Sequence, residues 1–192
     1  MERNIQTAKR ELRAFLKRKR DTLPGTYRRE ASERMAACLA GSGLYRDAQR
    51  VFAYWAIGSE ADLTSLLRVG KDRVFCLPVI GDNGHMEAGL YEGTLRNDRF
   101  GIPSPPEGSK TIPPGQLDLI LCPALSIDGQ GYRLGYGGGY YDRYLKRSRA
   151  VRVGVCYEEM LTDMLPHDGD DQPVDWILTE VGLRKTGIQR DG

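Results

Sequence analysis

The sequence predicts an α/β fold: a three-layer αβα sandwich with a mainly parallel central sheet, built as one domain over residues 1–192. Three observations lead there. Four apolar runs of strand length, at 51–55, 117–123, 151–155 and 176–178, lack polar alternation, as strands covered on both faces do. Segments with apolar residues three and four apart alternate with these strands. At 192 residues, 40% hydrophobic and 28% charged, the chain suits a single core, and it shows no internal repeat.

The elements follow in order. Ile5, Ala8, Leu12 and Phe15 or Leu16 recur at helical spacing and predict a docking stripe on a first helix. Lys9, Arg13, Lys17 and Arg20, spaced by four, four and three, are expected on a different face. Pro24 and Gly25 break this helix. Thr26 is expected to cap a second one, with Ala31, Met35 and Cys38 or Leu39 inward and Gly41, Ser42 and Gly43 at its end. The strand at 51–55 leads to a loop at 58–60 and a short helix over 62–68, with Asp62 near its start. Residues 73–79 form a strand, and 85–91 pair with it as a hairpin through a turn at Asp82, Asn83 and Gly84. The proline- and glycine-rich stretch 97–116 reads as one long loop. Then come a central strand at 117–123, a turn at 126–131, a glycine loop at 135–139, a helix over 140–147 and buried strands at 151–155 and 176–178. The polar tail after Glu180 is expected to be partly loose.

Composition removes several classes of function. No apolar run approaches the ~18 residues of a membrane helix, and the charged start is unlike a secretory signal. A basic, amphipathic start also fits a mitochondrial transit peptide. Cys38, Cys76, Cys122 and Cys156 lie far apart in apolar settings, the pattern of buried thiols in a reducing, cytoplasmic compartment. His85 and His167 are the only histidines and there is no GxSxG elbow, which disfavours a zinc centre or a Ser-His triad. The net charge of +2 conceals eight Lys/Arg against two Glu in the first twenty residues, on an otherwise mildly acidic body. One basic segment on a near-neutral body points to a local anion site rather than a nucleic-acid surface.

The most informative stretch runs from Arg133 to Arg143. Gly135, Gly137, Gly138 and Gly139 place four glycines in five residues, a run whose entropy cost implies a need for it. Between a strand and a helix, such a loop brings backbone N–H groups to a phosphate. Arg133 and Arg143 are placed to add charge-assisted bonds. Asp142 has the wrong sign to bind phosphate and makes sense as a magnesium ligand. A β-branched side chain at Gly138 is expected to fill the cradle and to resist its backbone angles. Gly108 to Thr111 lacks the order of a P-loop, and Tyr140 stands where a dinucleotide fingerprint needs its third glycine.

The string LGYGGGYYDR closely resembles the signature of the 5-formyltetrahydrofolate cyclo-ligase family, also called methenyltetrahydrofolate synthetases. Lys9-Arg10-Glu11-Leu12-Arg13 resembles the family's ATP-contacting K-x-x-L-R. Tyr54 to Asp62, read YWAIGSEAD, resembles its Y-x-x-x-x-x-E-x-D segment. Residues 118–131 resemble its D-L-I-x-x-P strand and F-D-x-x-G turn, and 173–180 its P-V-D-x-I-x-T-E ending. The similarity spans nearly the whole chain in the right order.

The resemblance implies a cytoplasmic, monomeric ligase that uses ATP and Mg2+ to cyclise 5-formyltetrahydrofolate to 5,10-methenyltetrahydrofolate, with neither nucleic acid nor membrane as partner. It implies ATP binding by Lys9, Arg10, Glu11, Leu12 and Arg13 and by Gly135, Tyr136, Gly137, Gly138, Gly139, Tyr140, Tyr141 and Asp142. It implies metal binding by Asp142 and Asp175 and catalytic roles for Asp142 and Arg143. Glu60 would hydrogen-bond the pterin, and Tyr54, Trp55 and Tyr140 would wall it. Two segments depart from the pattern. Leu165 to Asp171 keeps Pro166 and Asp171 of the family's L-P-x-E-x-H-D but has Asp168 for its glutamate and Asp170 for its histidine. Gly101 to Pro105 stands for G-I-x-E-P. An ATP-dependent relative acting on another formamide-like or folate-like substrate, a nucleic-acid module using the first helix and a non-catalytic folate binder are the competing readings.

Overall fold

The computed structural model describes residues 2–69, 72–81 and 84–188. Its centre is an eight-stranded sheet in the order β12-β11-β10-β7-β1-β2-β3-β6. These strands are β1 (Arg50–Phe52), β2 (Val74–Ile80), β3 (Met86–Leu90), β6 (Thr111–Ile112), β7 (Leu119–Pro123), β10 (Val151–Val155), β11 (Trp176–Thr179) and β12 (Gly182–Lys185). The five neighbours β11, β10, β7, β1 and β2 run parallel, and β3, β6 and β12 add antiparallel pairings at the two margins. Two small ribbons stand apart, β4 (Arg96–Asn97) with β5 (Pro103–Ser104) and β8 (Ser126–Ile127) with β9 (Arg133–Leu134).

The sheet is flanked by α1 (Glu2–Asp21), α2 (Gly25–Gly41), α3 (Gly43–Asp47), α4 (Ser65–Val69) and α5 (Tyr140–Leu145). Val51, Phe52, Leu119, Ile120, Leu121, Cys122, Val153 and Val155 are buried on the parallel strands, which explains their unbroken apolar runs. Cys76, Cys122 and Cys156 are buried thiols and Cys38 is half-buried; burial pushes the Cys122 thiol up to about 11 and leaves it inert.

Several expectations are corrected. The inward face of α1 carries Lys9, Leu16 and Arg20, all buried, while Phe15 is 56% exposed. Long cationic side chains bury their stems as a leucine does, so the basic and docking faces are largely one. α2 starts at Gly25 with Pro24, not Thr26, in the capping position, and Arg28 N donates to Pro24 O at 3.0 Å. Ser42 ends α2 and caps α3, a helix the glycine-serine stretch concealed. The first strand is shorter than 51–55, and α4 begins at Ser65, with Asp62 Oδ1 accepting from Thr64 N at 2.8 Å. The β2–β3 hairpin forms as expected, although Asp82 and Asn83 of its turn lie outside the described residues. The stretch 97–116 is not one loop: it supplies a ribbon strand and the edge strand β6. Beyond Glu180 the chain forms β12, paired antiparallel to β11.

Topology sets the position of the site. From β1 the chain moves to β2 on one side and later returns to β7 on the other, so the strand order reverses between β1 and β7. In an open α/β sheet a crevice opens at the carboxyl ends of the strands flanking such a reversal.

Packing on β10 is tight. A Cβ on Gly154 of β10 would lie 2.6 Å from Ile127 Cδ1 and 2.9 Å from Val174 Cγ2. Gly154→Val is expected to cost about 1–3 kcal/mol through overpacking, read as a lower urea midpoint with an unchanged m-value.

Candidate active site

A cleft of about 1120 Å³ occupies the predicted crevice. Its walls come from the segment after β1, the glycine loop between β9 and α5, the inner face of α1, the turn 168–171 and the ribbon β4–β5. The glycine loop needs glycine for two reasons. Gly137 and Gly139 have φ of 96° and 65°, which disfavour side chains. A Cβ on Gly137 would also stand 3.0 Å from Arg13 Cζ, and one on Gly139 would stand 2.7 Å from Arg143 Nη1. Gly138 has an ordinary φ, so the expected backbone strain falls on its neighbours; its own Cβ would meet the Tyr140 ring at 2.7 Å.

Arg13 reaches across from α1 and donates Nε–H to Gly135 O at 2.7 Å. Lys9, one turn earlier, binds Asp168 at 3.1 Å and Asp171 more closely. Burial pulls the Lys9 ammonium down, but hydrogen bonds and charge from Asp171 and Asp168 outweigh it, so its pKa is raised and it stays cationic. Gln6 also donates to Asp168, at 3.2 Å, and Lys146 pairs with Asp170 at 2.5 Å. Arg10, Glu11 and Leu12 do not line the cleft: the first two are exposed and Leu12 packs on the core.

Asp142 lies in the first turn of α5. Its Oδ1 accepts from Arg133 at 3.0 and 3.1 Å and from Gln172 N at 3.1 Å. The Arg133 side chain is 4% exposed and also donates to Gln172 O at 2.7 Å, so it orients Asp142. Arg143 lines the cleft at 5.1 Å from the Tyr140 ring centroid. Asp175 lies outside the lining, where it accepts from Arg152 N at 2.8 Å. Among the described residues, no three His, Cys, Asp or Glu side chains gather into a preformed metal cage.

On the opposite wall, Glu60 is buried and takes Ile57 N on Oε2 at 3.0 Å. Burial raises its pKa, and the Ile57 amide, Arg20 and Tyr136 oppose that rise. Trp55, Tyr140 and Tyr141 line the cleft as half-buried aromatics. Tyr54 also contributes, but its hydroxyl donates to Ala61 O at 2.5 Å and shapes the loop that presents Glu60. Sequence reasoning missed the apolar end, formed by Pro78, Ile80, Met86, Phe100 and Ile102. The cluster of Phe100 and Ile102 inside a polar stretch was the available signal.

Residues 5–180 match the sequence profile described as the 5-formyltetrahydrofolate cyclo-ligase family. The 5-formyltetrahydrofolate cyclo-ligase of Mycolicibacterium smegmatis is 35% identical over 196 residues, covering 94% of this chain and 96% of that protein. The Mus musculus protein of the same name is 28% identical over 193 residues, covering 92% and 95%. The NMR structure of Aquifex aeolicus 5,10-methenyltetrahydrofolate synthetase superposes with a TM-score of 0.85 at 34% identity, covering 95% of each chain. A Mycoplasma pneumoniae 5,10-methenyltetrahydrofolate synthetase, at 22% identity and a TM-score of 0.72, supports the fold alone.

The buried Glu60 has a consequence for stability. A carboxyl whose pKa rises on folding favours the folded state below its unfolded value, and loses that contribution as pH rises through the folded one. Glu60→Gln is therefore expected to stabilise the protein at pH 7, with the gain fading below 4.5, its ordinary value. Urea unfolding at both pH values reads this, and an equal effect at each would contradict it.

Proposed function

The chain belongs to the 5-formyltetrahydrofolate cyclo-ligase family, and from that premise we propose that it cyclises 5-formyltetrahydrofolate to 5,10-methenyltetrahydrofolate with ATP and Mg2+, as a monomer in the cytosol. The observation that supports this best is the Arg13 guanidinium laid against Gly135 and Gly137 inside a cleft that also holds Glu60 and an apolar end. One wall suits phosphates and the other a planar, donor-rich ring.

The chemistry follows from a poor leaving group. The formyl oxygen on N5 attacks the terminal phosphorus of ATP, ADP leaves, and the formyl carbon becomes an activated iminium. N10 attacks that carbon and loses its proton. Phosphate then departs with the formyl oxygen, leaving the methenyl bridge between N5 and N10. Catalysis of this kind rests on positioning and charge neutralisation. Arg13, Arg143 and Lys9 supply cations to the phosphate side, Lys9 by exchanging carboxylate partners for phosphate oxygens. The glycine loop supplies backbone N–H groups at close range. α5 has only six residues, so its dipole is small and the side-chain cations carry most of the positive charge on this side. Glu60 accepts hydrogen bonds from the pterin, and Trp55 and Tyr140 confine it.

The donor chemistry at Asp142 fits magnesium. Its three hydrogen bonds fall on one oxygen, and a hard cation takes a carboxylate oxygen together with phosphate oxygens. When bound, the ion neutralises phosphate charge. Asp175 keeps a place as second ligand only through the resemblance.

With purified protein, 5-formyltetrahydrofolate, ATP and magnesium, the ultraviolet band of methenyltetrahydrofolate is expected to grow, and to need both ATP and the metal. A formyl group labelled with 18O is expected to deliver its label to the released phosphate, seen by 31P NMR. Label recovered in water would contradict activation by phosphorylation. Asp142→Asn is expected to raise the magnesium concentration for half-maximal rate by about tenfold or more, the loss of one charged ligand. An unaltered titration would remove Asp142 from the metal site.

A further inference from the structure

We propose that Arg20 is a positioning residue for the glycine loop: from a buried seat on α1 it holds the Tyr136 hydroxyl and, together with Arg13, fixes the loop in the shape that receives phosphate. The proposal rests on the assignment of the glycine loop to phosphate made above.

The loop does not fix its own shape. It has four glycines in five residues, and glycine loses more conformational freedom on ordering than any other residue. Among the described residues, none makes a backbone–backbone hydrogen bond to residues 135–138. Side chains hold the loop instead, and two of them come from α1. Arg13 donates Nε–H to Gly135 O at 2.7 Å, and Arg20 donates from Nη2 to the Tyr136 hydroxyl. Seven residues separate the two arginines, which is two helical turns and about 10 Å along one face of the helix. They take adjacent residues of the loop, one by its carbonyl and the next by the tip of its side chain.

Arg20 is a fixed anchor. It is 2% exposed, and its Nε–H donates to Ser59 Oγ at 3.0 Å. Ser59 donates in turn to Asp21 Oδ1 at 2.5 Å, and Lys17 pairs with the other oxygen of Asp21 at 2.6 Å. None of the ion pairs among the described residues includes Arg20. Burying a guanidinium without a carboxylate in contact is costly, and an apolar side chain would fill the space without that cost. What the arginine adds is a rigid fork that donates in two directions, to Ser59 and to Tyr136.

Tyr136 is 45% exposed, so burial does not hold it. Its ring centroid lies 5.5 Å from the Arg20 guanidinium, within reach of a cation–π contact, and its hydroxyl accepts from the same group. The left-handed turn at Gly137 therefore starts from two pinned residues, and Gly137 itself lies under the Arg13 guanidinium.

Tyr136→Phe tests the contact, because it keeps the ring over Arg20 and removes only the acceptor. In ligand-free protein, 15N relaxation is expected to show lower order parameters for the Gly137, Gly138 and Gly139 amides than in wild type. Calorimetry is expected to show Mg-ATP binding weakened about fivefold or more, from the loss of one hydrogen bond to a charged group, and 5-formyltetrahydrofolate binding changed by less than about twofold. Arg20→Met removes the same contact from the other side, so the double variant is expected to bind Mg-ATP as Arg20→Met alone does. Unchanged order parameters, equal weakening for both ligands, or losses that add in the double variant would overturn the proposal. If Arg20→Met does not fold, relaxation in Tyr136→Phe decides. Wild-type protein that does not bind Mg-ATP would overturn the phosphate assignment instead, and the ligand-free relaxation would still decide the contact.

Discussion

The site depends on one close approach: a guanidinium laid on bare backbone. Arg13 lies where a side chain at residue 137 would begin, and it binds the carbonyl two residues earlier. That contact requires glycine at 137, a φ of 96° and an α1 docked by its basic face. The rest of the fold delivers these parts. The reversal of strand order between β1 and β7 opens the crevice, β9 leads into the loop, and Leu16 and Arg20 hold α1 over it. The backbone donors of the loop and the cations of the helix thereby converge on one volume.

The electrostatics of that volume are prepared for exchange. Lys9 is held by Asp168 and Asp171, and Lys146 is paired with Asp170, so the cations at this rim are compensated. A polyphosphate must compete with these carboxylates, which favours a ligand of high charge over a single weak anion. The opposite wall has the reverse problem, because Glu60 is a carboxyl whose charged form burial disfavours. Its burial costs stability, and under the proposed function a hydrogen-bonding ring in the cleft would supply the donors it lacks.

The parts of this account legible in the sequence were those with a local cause. The buried parallel strands announced themselves as apolar runs because both of their faces are covered. The glycine loop stood out because left-handed backbone and close approach both select glycine. The acidic turn at 168–171 read as an odd departure, since its partner Lys9 is about 160 residues away and no local pattern encodes that pairing. The inner face of α1 was misassigned because periodicity treats every cation as outward-facing, whereas Lys9 and Arg20 are buried. β6 and β12 escaped notice because they are short, lie at the sheet's margins and bury too few side chains to produce a pattern.

The most direct test of the central contact is calorimetric titration of Mg-ATP into wild-type protein and Gly137→Ala. The added methyl group enters the space of the Arg13 guanidinium and disfavours the local φ, in a loop that faces the cleft. The account predicts affinity weakened by about tenfold or more, the worth of one displaced charge-assisted contact, with the circular dichroism of the fold retained. Unchanged affinity in a folded variant would show that the phosphates bind elsewhere.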